Sequence, residues 1–182
     1  MALRPVRLLG DDVLRKKAKK VEKINTFIKN LLDDMADTMY KNNGVGLAGN
    51  QVGVLKRVIV VDDGNGLLQL INPVILEKEG TQCGEEGCLS LPDIYGDVER
   101  AEKVKVKAQN IKGEHIEIEA EGLLARIFQH EIDHLDGKLF ADTATNIHEV
   151  KPNQEEVVEE ENKESTEKTE QTEVEVEKKD EN

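Results

Sequence analysis

Two histidines four residues apart, His130 and His134, frame the segment HEIDH. Each residue of a helix advances by about 100°, so this spacing puts both imidazoles on one face, one turn apart, where they can share one metal ion. Glu131 follows His130 directly and is offset from it by about 100°. Its carboxylate can therefore reach a water on such an ion without being a ligand, which is the position of a general base. Solvated helix faces also carry His and Glu at this spacing, so the flanking sequence matters. Leu123, Leu124, Ile127, Phe128, Ile132 and Leu135 make the helix apolar nearly all round. Such a helix is expected to be buried, and buried histidines need partners.

A catalytic metal site normally has three protein ligands and one open position. Extended zinc peptidases continue as HExxHxxGxxH; here Gly137 is present, but Phe140 stands where the third histidine belongs. His115 and His148 read as solvent-facing residues of a hairpin and of the edge of the tail. Cys88, in EEGCLSLP, is the better candidate because a thiolate binds iron or zinc strongly. Cys83 lies five residues earlier, in a stretch read as a loop, and a closed site of Cys83, Cys88, His130 and His134 is the structural alternative. The 41 residues between Cys88 and His130 fit no compact zinc finger, and a closed site leaves Glu131 without a task.

Gly44 to Gly53, GVGLAGNQVG, has three glycines in its first six residues, which specifies an unusual backbone. Gln51 brings an amide able to donate to a developing oxyanion. A phosphate-binding loop is disfavoured, because no Lys-Ser or Lys-Thr follows and the strand-loop-helix order is reversed.

These residues need a scaffold. Ile24 to Asn42 has apolar residues at helical spacing (Ile24, Phe27, Ile28, Leu31, Leu32, Met35, Met39) and a stop at Asn42-Asn43-Gly44. Arg57 to Asp62 and Leu68 to Leu76 read as strands, the second placed near an edge or bulge by Pro73. Lys103 to Ala120 alternates apolar and charged residues around a turn at Asn110 to Gly113, a hairpin with one wet face. Leu123 to Asp136 is the helix carrying HEIDH, closed by Gly137. The order predicts an α+β fold, antiparallel sheets packed around this C-terminal helix.

The length of 182 residues suits one domain, and 37% of the chain is hydrophobic. Apolar residues are concentrated before about Val150. From Lys151 onward 13 acidic residues face 5 lysines, a net of −8 out of −13 for the chain. The expectation is a catalytic domain over 1–148 and a disordered acidic tail over 149–182, since that composition cannot offset its ordering entropy. The negative charge argues against nucleic-acid recognition. Without a charged-then-apolar start or an apolar run near 20 residues, a cytoplasmic protein without membrane contact is expected. Two cysteines in a reducing compartment point to metal or catalysis rather than a disulfide.

With GVGLAGNQ, EGCLS and QHEIDH in this order, the chain resembles the peptide deformylases over residues 1 to about 148, and VLRKKAKK at Val13 to Lys20 strengthens the match. The resemblance implies that Cys88, His130 and His134 bind one divalent metal ion, ferrous iron first, with zinc, nickel or cobalt in the isolated protein. It implies that Glu131 handles protons and that Gln51 and the Leu89 backbone N–H stabilise the oxyanion. It places Gly44, Val45, Gly46, Glu86, Leu89, Leu123 and Ile127 around the substrate methionine, Glu86 being chemically odd there. The implied reaction removes the formyl group from N-formyl-methionyl peptides, with the ribosome as a further candidate partner and a monomer as the expected state. Gly49 departs from the usual alanine of the family, which predicts a slightly looser loop. Arg100 and Arg126 stay outside the candidate set, read either as ordinary surface or rim residues or as groups that orient Glu86 or the substrate backbone. Two rivals remain on residues alone: a peptidase, which needs a further ligand after His134, and a non-catalytic metal protein, which needs neither Glu131 nor Gln51.

Overall fold

The computed structural model describes residues 2–150. Helix α1 spans Thr26–Lys41 and α2 spans Gly122–Leu135. The strands are β1 (Gly46–Ala48), β2 (Val58–Val61), β3 (Leu68–Glu79), β4 (Gln82–Cys88), β5 (Leu91–Arg100), β6 (Lys103–Gln109), β7 (His115–Glu121) and β8 (Thr145–Glu149). They form a five-stranded sheet in the order β1-β2-β3-β6-β7 and a three-stranded sheet in the order β4-β5-β8. All named pairs are antiparallel. This is the α+β architecture expected.

The larger sheet is covered on both faces. Ile59, Val61 and Leu70 pack with Ala125, Phe128, Ile132 and Leu135 of α2. Val58, Val60 and Ile71 pack with Leu31, Leu32 and Met35 of α1. Successive residues of a strand point to opposite faces, so a strand buried on both sides reads as a continuous apolar run, which is what VIVV is. The β6–β7 hairpin keeps its wet face: Lys103 pairs with Glu121 at 3.0 Å and Lys105 with Glu117 at 3.2 Å, while Val104 and Val106 are buried.

Asn25 caps α1, its side chain accepting from the Ile28 N–H at 3.1 Å. The helix ends at Asn42, and Asn43 turns left-handed at φ +54. Phe27, counted in the apolar stripe, is 51% exposed. Pro73 sits at a register shift between Ile71 and Val74, the expected bulge, but β3 is the central strand of its sheet rather than an edge.

Strands β1, β4, β5 and β8 were not anticipated. Cys83, expected in a loop, lies on β4 opposite Glu99 and is exposed. His148, expected at the edge of a tail, lies on β8 opposite Tyr95. The last strand runs to Glu149, one residue past the expected boundary. The rest of the expected acidic tail, beyond Val150, lies outside the described residues. Among the described residues no helix is long and apolar enough to cross a membrane.

Candidate metal centre

Helix α2 enters the core between the two sheets' strands and buries His130, Glu131 and His134 at 9%, 4% and 1% exposure. It closes as the sequence predicts, with Gly137 left-handed at φ +76. Leu123 departs from the expectation of an all-buried helix; it is 55% exposed at the first turn.

Cys88 sits at the end of β4. Its Sγ lies 3.3 Å from His134 Nε2, and His134 Nε2 lies 3.1 Å from His130 Nε2. The three ligand atoms fall within 4.8 Å of one another. A tetrahedral ion with bonds of about 2.1 Å to nitrogen and 2.3 Å to sulfur keeps such donors about 3.4–3.6 Å apart, so the two contacts at His134 Nε2 match to within a few tenths of an ångström. Charge points the same way. Burial opposes an imidazolium at His130, yet its Cys88 and Glu86 neighbours push its pKa up to about 10. Burial, together with His130, drives His134 well below the ordinary histidine range. The proton that the raised His130 pKa leaves on its Nε2 sits among the donors, and a bound cation would take its place there. Cys83 is exposed and outside the group, which leaves no closed four-ligand site among the described residues.

The Nδ1 side of His130 meets the Glu86 carboxylate, with Nδ1 2.8 Å from Oε2. A carboxylate only accepts, so Nδ1 carries the proton and Nε2 presents its lone pair to the cluster. Glu86 is itself held by Arg100, whose Nε and Nη2 each donate at 2.9 Å, and by Arg126 Nη1 at 2.7 Å. Arg100 also bonds Asp133, on α2 beside His134. Burial alone would raise the Glu86 carboxyl, but the His130 and Arg100 bonds outweigh it and hold its pKa at about 2.

Gln51 is 1% exposed and its amide has one orientation. Oε1 accepts from the Ala48 N–H at 2.9 Å, so Nε2 must face the other way, toward Ser90 Oγ at 3.2 Å and Cys88 Sγ at 3.4 Å. Ser90 is fully buried, and its backbone N–H also donates to Cys88 Sγ at 3.4 Å. The N-terminal segment braces both loops: the Arg7 N–H donates to the Gln51 carbonyl at 2.7 Å and the Leu9 N–H to the Ser90 carbonyl at 2.8 Å. Asn50 Nδ2 ties the same loop to the carbonyl of His134 at 2.8 Å.

Glu131 stands against β1. A Cβ at Gly46 would fall 2.3 Å from Glu131 Oε1, so only glycine leaves room for this carboxylate. Burial pushes the Glu131 pKa up to about 7, and its Oε2 is buried without a protein partner among the described residues. A buried carboxyl with a free oxygen costs stability and is arranged to meet something that arrives.

These groups line one cleft of about 540 Å³. Gly44, Val45, Gly46, Glu86, Leu89, Leu123 and Ile127 all border it, together with Gln51, Cys88, His130 and Glu131. His134 lies behind them. The cleft combines an apolar wall, a nucleophile-activating carboxylate, an amide donor and a three-donor metal group, an arrangement suited to metal-assisted hydrolysis of an amide. Reasoning from sequence did not single out Ser90, and it kept Arg100 and Arg126 outside the candidate set although one of its readings, as groups that orient Glu86, is what the structure shows.

A family model described as polypeptide deformylase matches residues 3–150. The chain belongs to the polypeptide deformylase family. The peptide deformylase of Thermoanaerobacter pseudethanolicus is 60% identical over 144 residues, covering 79% of this chain and 91% of that protein. The crystal structure of the peptide deformylase from Thermotoga maritima superposes with a TM-score of 0.78 at 48% identity, covering 80% of this chain and 99% of that one. That from Synechococcus elongatus, solved in complex with actinonin, gives 0.76 at 44% identity, covering 80% and 83%.

Gly49 packs closely in this deformylase fold. A Cβ there would lie 2.6 Å from the Lys56 carbonyl oxygen and 2.8 Å from that of Val54. An alanine at this position would force those carbonyls to shift.

Proposed function

We propose that this chain hydrolyses the N-formyl group from the terminal methionine of newly made polypeptides, releasing formate, with a divalent cation held by Cys88, His130 and His134. Membership of the deformylase family supports the reaction. The observation that carries the residue assignment is the meeting of Cys88 Sγ, His130 Nε2 and His134 Nε2 within 4.8 Å beside the buried carboxylate of Glu131, whose Oε2 has no partner among the described residues.

When bound, the cation polarises the formyl carbonyl and lowers the pKa of water from 15.7 toward ~7. Glu131 takes a proton from the attacking water as its oxygen adds to the formyl carbon. The negative charge that develops on the carbonyl oxygen is met by Gln51 Nε2 and the Leu89 backbone N–H. One such donor is typically worth about 2.7–4 kcal/mol. Glu131 then passes the proton to the departing nitrogen as the carbon–nitrogen bond breaks, leaving formate and a free methionine amine. Glu86, through His130 Nδ1, keeps the ring in the ligating tautomer.

Val45, Leu123 and Ile127 offer the methionine side chain an apolar wall, bounded by Gly44 and Gly46. Val45 is 49% and Leu123 55% exposed, as a wall completed by an incoming side chain would be. Strands β1 and β4 are each the edge of their sheet and both border the cleft, so their unpaired backbone groups can meet an extended peptide. In the cell we assign ferrous iron to the site, with zinc, nickel or cobalt able to replace it in isolated protein. We further assign the enzyme to the cytoplasm, as a monomer acting on chains at the ribosome, with a catalytic domain over 1–148 followed by an acidic tail.

The test is formate release from formyl-Met-Ala-Ser by protein reconstituted with ferrous iron under nitrogen. Rapid release, lost in Glu131→Ala and blocked by actinonin, supports the proposal. A folded, metal-loaded protein that releases no formate overturns it.

A further inference from the structure

We propose that Asn50 is a positioning residue for the metal-ligating end of α2, its side-chain amide holding His134 and the Gln51 loop in one register. The inference goes beyond the deformylase reading and rests on its assignment of the metal to Cys88, His130 and His134.

The two histidines of the cluster are supported in different ways. His130 is held at its ring, where Nδ1 meets Glu86 Oε2 at 2.8 Å. His134 Nδ1 is buried and has no hydrogen-bond partner among the described residues. Yet His134 Nε2 is the central donor, 3.3 Å from Cys88 Sγ and 3.1 Å from His130 Nε2. The place of its ring is therefore set by packing and by its backbone. That backbone is fastened from outside the helix: Asn50 Nδ2 donates to the His134 carbonyl at 2.8 Å and to the Lys16 carbonyl at 2.6 Å.

A carbonyl only accepts, so these two bonds fix the orientation of the amide and use both of its hydrogens. Asn50 is fully buried, and its Oδ1 has no partner among the described residues. A buried acceptor left unpaired costs stability, and the two donations are kept against that cost. Two glycines let the joined segments close on one another. A Cβ at Gly137 would fall 2.5 Å from the Arg15 carbonyl oxygen, as one at Gly49 would fall 2.6 Å from that of Lys56. Beside them the Ala18 N–H donates to the Leu135 carbonyl at 2.8 Å, and the Lys19 N–H to that of Leu55 at 3.0 Å. Asn50 directly precedes Gln51. One peptide unit thus separates the tether of a metal ligand from the amide that meets the oxyanion, and the two are held together.

The experiment uses the full chain loaded with cobalt, whose visible absorption reports the geometry of its donors. Asn50→Ala should change that spectrum, lose the ion to a chelator about tenfold faster and lower kcat for formyl-Met-Ala-Ser about tenfold, with KM unchanged. This is the low end of what removing an outer support of a ligating histidine costs. A folded Asn50→Ala protein with the wild-type spectrum, rate of metal loss and kcat overturns the proposal, whatever its urea midpoint. If the variant does not fold, the unaltered protein decides, because metal binding that depends on the tie must strengthen the tie in return. Hydrogen exchange at the Asn50 side-chain amide should then slow on zinc loading by more than at Asn72, whose amide bonds Val21 and Gln109 outside the cleft. Equal slowing at the two amides overturns the proposal. Failure of the unaltered chain to bind metal or to release formate is a separate outcome, which removes the reading beneath it.

Discussion

Glu86 accepts a hydrogen bond from the ring of His130 at 2.8 Å across 44 residues of sequence, and this contact fixes which imidazole nitrogen faces Cys88. The same carboxylate is paired with two arginines, Arg100 also meeting Asp133, so one residue both orients a histidine of the cluster and carries part of the balance of interior charge.

Glu86→Gln keeps the shape but removes the charge. Metal affinity should drop about 10- to 100-fold, as for other outer partners of ligating histidines. Leaving Arg100 and Arg126 undercompensated should also cost about 3–5 kcal/mol of stability. Competition with a chelator and urea unfolding measure the two effects. Wild-type metal affinity in this variant would remove Glu86 from the role given to it.

Glu131→Gln should retain the metal and lose turnover by roughly 10²–10⁴, the usual range for a positioned proton carrier. Metal content and kcat, measured on the same sample, separate this from loss of the ion. An active variant would mean that another group moves the proton.

Gly49→Ala restores the residue usual in the family and should nonetheless destabilise the protein by about 1–3 kcal/mol, the cost of forcing a methyl against packed carbonyls. The urea midpoint reads this directly. A gain in stability would show that the loop relaxes at little cost.

The Asp34 pKa is lowered mainly by the Ala2 backbone N–H, with Arg4 adding to the effect. A carboxyl with a depressed native pKa stabilises the fold above its unfolded value of about 3.9, and that contribution is lost as pH falls through the native value. Asp34→Asn should thus be less stable than wild type at pH 7, with the gap closing as the medium is acidified below about 4. A gap that stays constant with pH would rule out this ion pair as its source.

Both helices and strands β2, β3, β6 and β7 of the larger sheet were legible because each carries a periodic or continuous apolar signal; β1, three residues inside the glycine-rich stretch, was not. The three-stranded sheet was not, and the reason lies in residues such as Gly84, Glu85, Glu86 and Gly87 of β4. Their pairing with β5 is made by backbone, and their side chains serve the cleft instead of a core. A strand with glycines and carboxylates in place of apolar alternation gives no period to read. The metal group was legible because two of its members share one helix and the third lies in a distinctive motif. Arg100 and Arg126 were legible only as one of several readings, since nothing local in the sequence singles out the glutamate, 14 or 40 residues away, to which each turns.

The backbone bonds from Arg7 and Leu9 to Gln51 and Ser90 have a consequence for the order of biosynthesis. The brace behind the Gln51 loop comes from residues 7 and 9, and His134 follows them by more than 120 residues. No chain that stops short of His134 holds both ends of this arrangement, so a copy translated only that far has no assembled site. An enzyme that works on nascent chains must itself be translated past His134 before it can begin.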